Sequence, residues 1–341
     1  MGAYITYQLI FKLSNRYRSS GVVIPPAPDK HVLDSTKMKI SKDSLVETEF
    51  IERRRMSLER FMFRLLTHPV LQGDSDLREF LVLDGELPRF SGAQLLSGSS
   101  ARKMLKSFGD SLGKITFRVD DPEEYFDQKS EELDTWERQM KRFHSSLSSL
   151  VASCQGLAVS RFAVSHTISQ LANIEEHTGL AQALGSLANT EEEMSQHYSA
   201  LAEAKLTTLA DCARDSLGLI QASKEAVAER LKLFRDWKAT CALIEAKQEQ
   251  KLRSELSGRN EPKRIMALDA ELEELRNRSE IEEENFTKVS KVVKEELERV
   301  DAARLADFVQ AATQFLSTFL QTQGKILEAW ESYLNRAKSV N

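Results

Sequence analysis

At 341 residues, with a formal net charge of −5, 29% charged and 41% hydrophobic residues, the chain has length for two folded units and too much periodic apolar content for a disordered polymer. Its balanced charge excludes a general nucleic-acid binder and leaves attraction to anionic membranes to local basic clusters. Three widely separated cysteines, Cys154, Cys212 and Cys241, speak against a disulfide framework and fit a reduced cytosolic protein; no run approaches the ~20 continuous apolar residues of a membrane span, nor does the N-terminus look like a signal peptide.

The chain opens on a segment rich in β-formers, and Tyr4–Lys12 reads as a strand. Met1-Gly2 followed by Thr6 satisfies the loose myristoylation pattern, but the residues around it read better as that strand. A proline loop, Val22–Lys30, places proline at positions 25, 26 and 28 and is forced into an extended path. Glu47–Thr67 follows as a helix with Phe50, Leu58, Phe61 and Leu65 on one face and the basic run Arg53, Arg54, Arg55; His68-Pro69 stops it. A short helix at Asp76–Leu83 precedes a Gly- and Ser-rich linker over 84–100.

In Ala101–Phe117, Met104, Leu105, Phe108, Leu112 and Ile115 recur at helical spacing while Arg102, Lys103, Lys106 and Lys114 take the other faces. Such a basic amphipathic helix can wedge into a leaflet, with its lysines meeting lipid phosphates. The alternative is that it docks on a neighbouring domain, an arrangement favoured by Gly109 and Gly113, each costing about 1 kcal/mol in an isolated helix.

Three long stretches come next, Pro122–Gly179, Leu180–Leu256 and Glu261–Lys338, each with apolar residues at alternating three- and four-residue steps. The first runs Phe126, Leu133, Trp136, Met140, Phe143, Leu147, Leu150, Cys154, Leu157. The second carries Ile220, Val227, Leu231, Phe234, Trp237, Cys241 and Ile244, and the third ends on Phe308, Phe315, Phe319, Ile326 and Trp330. At ~1.5 Å per residue, helices of roughly fifty to seventy residues span on the order of 75–110 Å. Folded on one another they leave apolar surface along the first helix and near Phe308–Trp330, for which an antiparallel two-fold dimer is the natural cover. The turn between the second and third helices holds Arg253, Arg259, Lys263 and Arg264, diluted by Glu255 and Glu261: either a grip on anionic lipid or a solvated charge run.

Catalytic chemistry is not legible. The six histidines show no metal-ligand spacing, and no glycine-rich phosphate loop or nucleophile with a placed base occurs. The expectation is a protein that is no enzyme and holds no metal or cofactor.

The segments Val22–Lys30 (VVIPPAPDK), Phe50–Phe61 (FIERRRMSLERF), His68-Pro69-Val70-Leu71 and Asp76–Leu81 together resemble a PX domain, a phosphoinositide-binding module. Glu175-Glu176-His177-Thr178 leading into Leu180–Leu187, and Trp330–Leu334, look like the BAR region of the retromer-associated PX-BAR sorting nexins. The resemblance implies a mainly α fold: an incomplete α+β PX-like domain over 1–90, a linker with the basic amphipathic helix over 91–121, and a three-helix BAR coiled coil over 122–341 that dimerises. Lys30 and Arg54 are then the candidates to hold phosphoinositide phosphates, since two cations on preformed elements, one a bidentate guanidinium, suit a multiply charged headgroup.

One departure stands out. The PX pattern expects a basic-basic-aromatic-Ser strand between Tyr4–Lys12 and the helix before the proline loop, and that strand is missing, as is the first one; the chain reads as a splice variant, a fragment or an incomplete gene product. Arg16-Tyr17-Arg18-Ser19 imitates the motif, but its distance from Pro25 puts it at the end of a helix. The family implies a cytoplasmic protein, peripheral on endosomal membranes, that senses or imposes curvature in endosome-to-Golgi transport. Its implied partners are anionic phosphoinositide membranes, a second copy or a related sorting nexin, and the retromer cargo-recognition subunits. A coiled-coil scaffold that reaches membranes only through its partners is the alternative.

Overall fold

The computed structural model describes residues 2–28, 44–82, 124–256 and 262–338, and the regular structure among them is helical. In chain order the helices are α1 (Gly2–Tyr17), α2 (Ser44–Thr67), α3 (Ser75–Val82), α4 (Glu124–Ile174), α5 (Thr178–Lys205), α6 (Asp211–Leu256) and α7 (Pro262–Lys338). A π-helical segment, Leu206–Ala210, joins α5 to α6 without a break. At ~1.5 Å per residue the 77 residues of α7 trace about 115 Å of helix.

The strand expected at Tyr4–Lys12 is instead the body of α1, and no strand occurs among the described residues. Among the described residues a strand here would have no partner ladder, leaving a row of backbone groups unpaired, whereas a helix satisfies them internally. Its side chains agree: Leu9 and Leu13, one turn apart, are buried together with Val22, Phe61, Leu65, Leu71 and Leu77. Arg16–Ser19 stand where α1 ends and a 3-10 turn, Arg18–Ser20, begins.

That turn closes on Gly21, whose φ of +79° lies in the left-handed region. A Cβ there would also meet Val293 Cγ2 at 2.6 Å and Val289 Cγ1 at 3.0 Å. Glycine is thus required twice, by backbone conformation and by contact with α7.

α2 stops at His68-Pro69, where buried His68 accepts hydrogen bonds on Nδ1 from the Val70 and Leu71 amides at 3.2 and 3.3 Å. The turn between α4 and α5 falls at His177, whose Nδ1 accepts from Leu180 N at 3.3 Å and caps α5. The turn between α6 and α7, residues 257–261, and the linker with its basic segment lie outside the described residues.

The chain divides into two compact units: Met1–Ala27, Glu59–Glu131 and Lys224–Glu295 form one, and Pro28–Leu58, Glu132–Ser223 and Glu296–Asn341 the other. The first holds the α1 to α3 core and, deeper, Arg230. This side chain is fully buried, its guanidinium 3.6 Å from the Phe126 ring centroid and 4.9 Å from that of Phe286, with Nε donating to Ser290 Oγ at 2.9 Å. Phe234 and Trp237 extend the aromatic cluster, with centroids 5.1 and 5.9 Å from Phe286.

The second unit is built around Leu147, Ala210 and Ala213, flanked by Met140, Leu206 and Leu209. Of its apolar series α4 buries only a part. Phe126, Leu133 and Leu147, seven or fourteen residues apart, are buried, as are Val151 and Ala158 one turn further round. Phe143, Leu150 and Leu157 face outward, and Trp136, 39% exposed, carries the Arg304 guanidinium 3.7 Å from its ring centroid. Among the described residues, one edge of this apolar face is covered and the other is not.

Candidate membrane-binding surfaces

The three arginines of α2 meet different fates. Arg53 makes a bidentate pair with Glu203 of α5, Nε to Oε1 at 2.7 Å and Nη2 to Oε2, and Arg55 pairs with Glu52 along its own helix at 2.6 Å. Arg54 is half-buried and its Nη1 reaches the carbonyl of Pro28 at 3.5 Å, at the last described residue of the proline loop. The structure therefore brings Arg54 to the loop that leads into Lys30; Lys30 itself lies outside the described residues.

Arg16, in the sequence that imitates the PX motif, is committed inside the fold. Its guanidinium pairs with Asp74 and with Asp76 Oδ2, the latter at 2.5 Å, while Tyr17 Oη donates to Asp74 Oδ2 at 3.0 Å. Asp74 also caps α3, accepting from the Asp76 and Leu77 amides at 2.8 and 3.2 Å. Burial pushes the Asp74 carboxyl up, but hydrogen bonds from the Leu77 amide, Tyr17, Arg16 and the Asp76 amide outweigh it and hold the group below the usual carboxylate value.

A depressed carboxylate stabilises the fold above its unfolded-state pKa, and that contribution is lost as the pH falls through the folded-state value. Asp74→Ala is expected to cost about 2 kcal/mol at neutral pH, from the lost cap and the ionic hydrogen bonds. Urea midpoints of wild type and variant should converge in acid; a gap that stays constant with pH would show that the carboxylate charge is irrelevant.

At the α6 to α7 turn, Arg253 is exposed and bonded to Glu249 at 2.5 Å, and Lys263 and Arg264 are exposed in the first turn of α7. Pro262 opens that helix, a position suited to a residue without an N–H. Cations in a first turn oppose the helix dipole, at about 0.3–1 kcal/mol each. Arg259 lies outside the described residues, as do Arg102, Lys103, Lys106, Phe108, Leu112 and Lys114. Among the described residues no His, Cys, Asp and Glu cluster is arranged for a metal.

The first long helix, along which the sequence leads one to expect surplus apolar surface, carries it on the outward edge of α4. Trp136, Phe143, Leu150, Leu157, Val164 and Leu171 stand at every seventh residue, each between 37% and 48% exposed. The signal was present as a seven-residue repeat running past Leu157 to Leu171. A second outward row, Leu320, Leu327 and Leu334, keeps the same spacing on α7. By length and composition alone α4 is apolar enough to cross a membrane. Its apolar residues are instead confined to edges between serines that bond back to the preceding turn, as Ser148 Oγ does to His144 O at 2.9 Å and Ser153 Oγ to Ser149 O at 3.0 Å, which is the pattern of a coiled-coil face.

Comparison with known proteins agrees with this architecture. The family described as "Vps5 C terminal like" matches residues 101–336, and the PX domain matches residues 7–84. Sorting nexin-1 of Mus musculus is 30% identical over 330 residues, 97% of this chain and 63% of that protein. Sorting nexin-2 of Bos taurus is 31% identical over 329 residues, 96% of this chain and 63% of the relative. The chain thus spans less than two thirds of the length of these curated relatives. Among solved structures, the SNX-BAR Mvp1 tetramer shares the fold with a TM-score of 0.59 at 15% identity, over 95% of this chain and 87% of that one. The Vps5-type match alone takes in most of α4 to α7, and the chain belongs to the sorting nexins that join a PX domain to a Vps5-type BAR region.

Proposed function

We propose that the chain is a peripheral protein of the cytoplasmic face of endosomes, without enzymatic activity. It binds phosphoinositide-bearing membranes, senses or imposes their curvature, and supports tubular carriers in endosome-to-Golgi sorting. The observation that carries this reading is the uncovered heptad row on α4, continued in kind on α7. A surface of that regularity calls for a second helical copy, and a dimer of helices this long makes a rigid scaffold. The dimer is of two copies of this chain or of this chain with a related sorting nexin, and retromer cargo-recognition subunits are the further partners the family suggests.

Residues 122–341 act as the scaffold, 91–121 as the wedge, and 1–90, an incomplete PX domain, as a lipid address in which Lys30 and Arg54 meet the headgroup. Arg253, Arg259, Lys263 and Arg264 add basic contacts. Purified protein mixed with liposomes, with and without phosphoinositide, is expected to form tubules visible by negative-stain electron microscopy. Bare spheres with protein left in the supernatant would favour a scaffold that reaches membranes through partners. Replacing Phe108 and Leu112 by serine is expected to abolish tubules and keep the dimer; loss of the dimer instead would make 101–117 a structural segment.

A further inference from the structure

We propose that Cys154 of α4 and Lys205 of α5 form an oxidation-sensitive covalent link, a sulfur–nitrogen bond between the two helices. Lys205 is the last residue of α5 and is buried, with 9% of its surface exposed. A buried ammonium normally lies against a carboxylate or carbonyl, because an uncompensated charge away from water is costly. Here Nζ points at Cys154 Sγ, 3.1 Å away, and Glu203, two positions earlier, is held by Arg53. Cys154 is a free thiol, only partly covered and so open to a small oxidant. The third cysteine, Cys241, differs: its sulfur faces Ser279 Oγ at 3.5 Å.

The chemistry needs hydrogen peroxide as the two-electron oxidant. The Cys154 sulfur attacks the peroxide, the O–O bond breaks, and a sulfenic acid and one water form. Lys205, having given its extra proton to water, then attacks Sγ through Nζ. The S–N bond forms, the S–O bond breaks, and the hydroxyl leaves as a second water with a proton from the nitrogen. The product is a sulfenamide, as sulfenic acids also give with a neighbouring backbone nitrogen. It closes the loop from 154 to 205 across the α4 to α5 turn and fastens α5 directly ahead of the π segment. A thiol reductant reverses it. This inference does not depend on the membrane reading.

The test is peptide mass spectrometry of the whole chain after brief exposure to a small excess of hydrogen peroxide. The expected product is a pair of tryptic peptides joined through Cys154 and Lys205, lighter than their sum by one hydrogen molecule, uncleaved after Lys205 and separated by dithiothreitol. The oxidised wild type should also unfold at a higher temperature than the reduced protein, a shift absent from Cys154→Ser and Lys205→Met. Recovery of Cys154 as thiol, sulfinic or sulfonic acid, with cleavage after Lys205 intact, overturns the proposal. Because the mass readout uses wild-type protein, it holds even if Lys205→Met folds poorly.

Discussion

Phe143→Asp combined with Leu150→Asp is expected to convert a dimer into a folded monomer. Both side chains are already exposed on the single chain, at 37% and 46%, so the substitutions remove little from its own core. Across a two-fold interface each change occurs twice. The loss combines the apolar burial of four side chains, about 1 kcal/mol or more each, with the larger penalty of carboxylates held in an apolar seam. A weakening of at least about 1,000-fold, or roughly 4 kcal/mol, follows. Sedimentation velocity reads the mass directly, circular dichroism reports unchanged helix content, and Phe63→Asp, on an exposed face of α2, serves as the control. A double variant that still dimerises would place the partner surface away from α4.

The second large effect is expected at Arg230. Its side chain is fully buried between Phe126 and Phe286 and bonded to Ser290, so Arg230→Ala removes packing on two aromatic faces, a cation–π contact and a buried donor together. A loss of about 3–5 kcal/mol is expected for this variant. Arg230→Met keeps most of the volume and removes the charge, and should recover at least half of that loss, since a buried cation itself carries a desolvation penalty. Urea denaturation followed by circular dichroism distinguishes the two. Equal destabilisation by alanine and methionine would mean that charge recognition, and not packing, is what the site supplies.

The long helices and their stops are legible because a period sustained over many turns averages out single exceptions. Tyr4–Lys12 is not, because nine residues rich in aromatic and β-branched types carry local propensity without saying whether a partner strand exists; α1 forms because none is there among the described residues. The inward and outward edges of α4 are chemically alike in sequence, Leu133 and Leu147 against Leu150 and Leu157. Only the packing of other helices decides which edge is spent within the chain. Arg16 and Arg54 show the same limit from the side of charge: each is one arginine in a basic run, and the fold alone assigns one to Asp74 and brings the other to Pro28. Lys205 reads in sequence as an ordinary cation inside the stretch Leu180–Leu256, and nothing there reports its burial against Cys154.

The π segment Leu206–Ala210 has a consequence for how this helix tolerates insertion and deletion. An i→i+5 turn absorbs one residue more than an α turn. Deleting one residue within it would restore α geometry and leave the downstream side chains on their present faces, whereas straightening it with all its residues kept would turn each of them by about 100°. Ala213, Ser216 and Ile220, now buried, would in that second case yield their places to Cys212, Asp215 and Leu219, and a carboxylate would enter the core. The segment is thus a phase setter, letting the buried faces of α5 and of the start of α6 stay in line in spite of one extra residue.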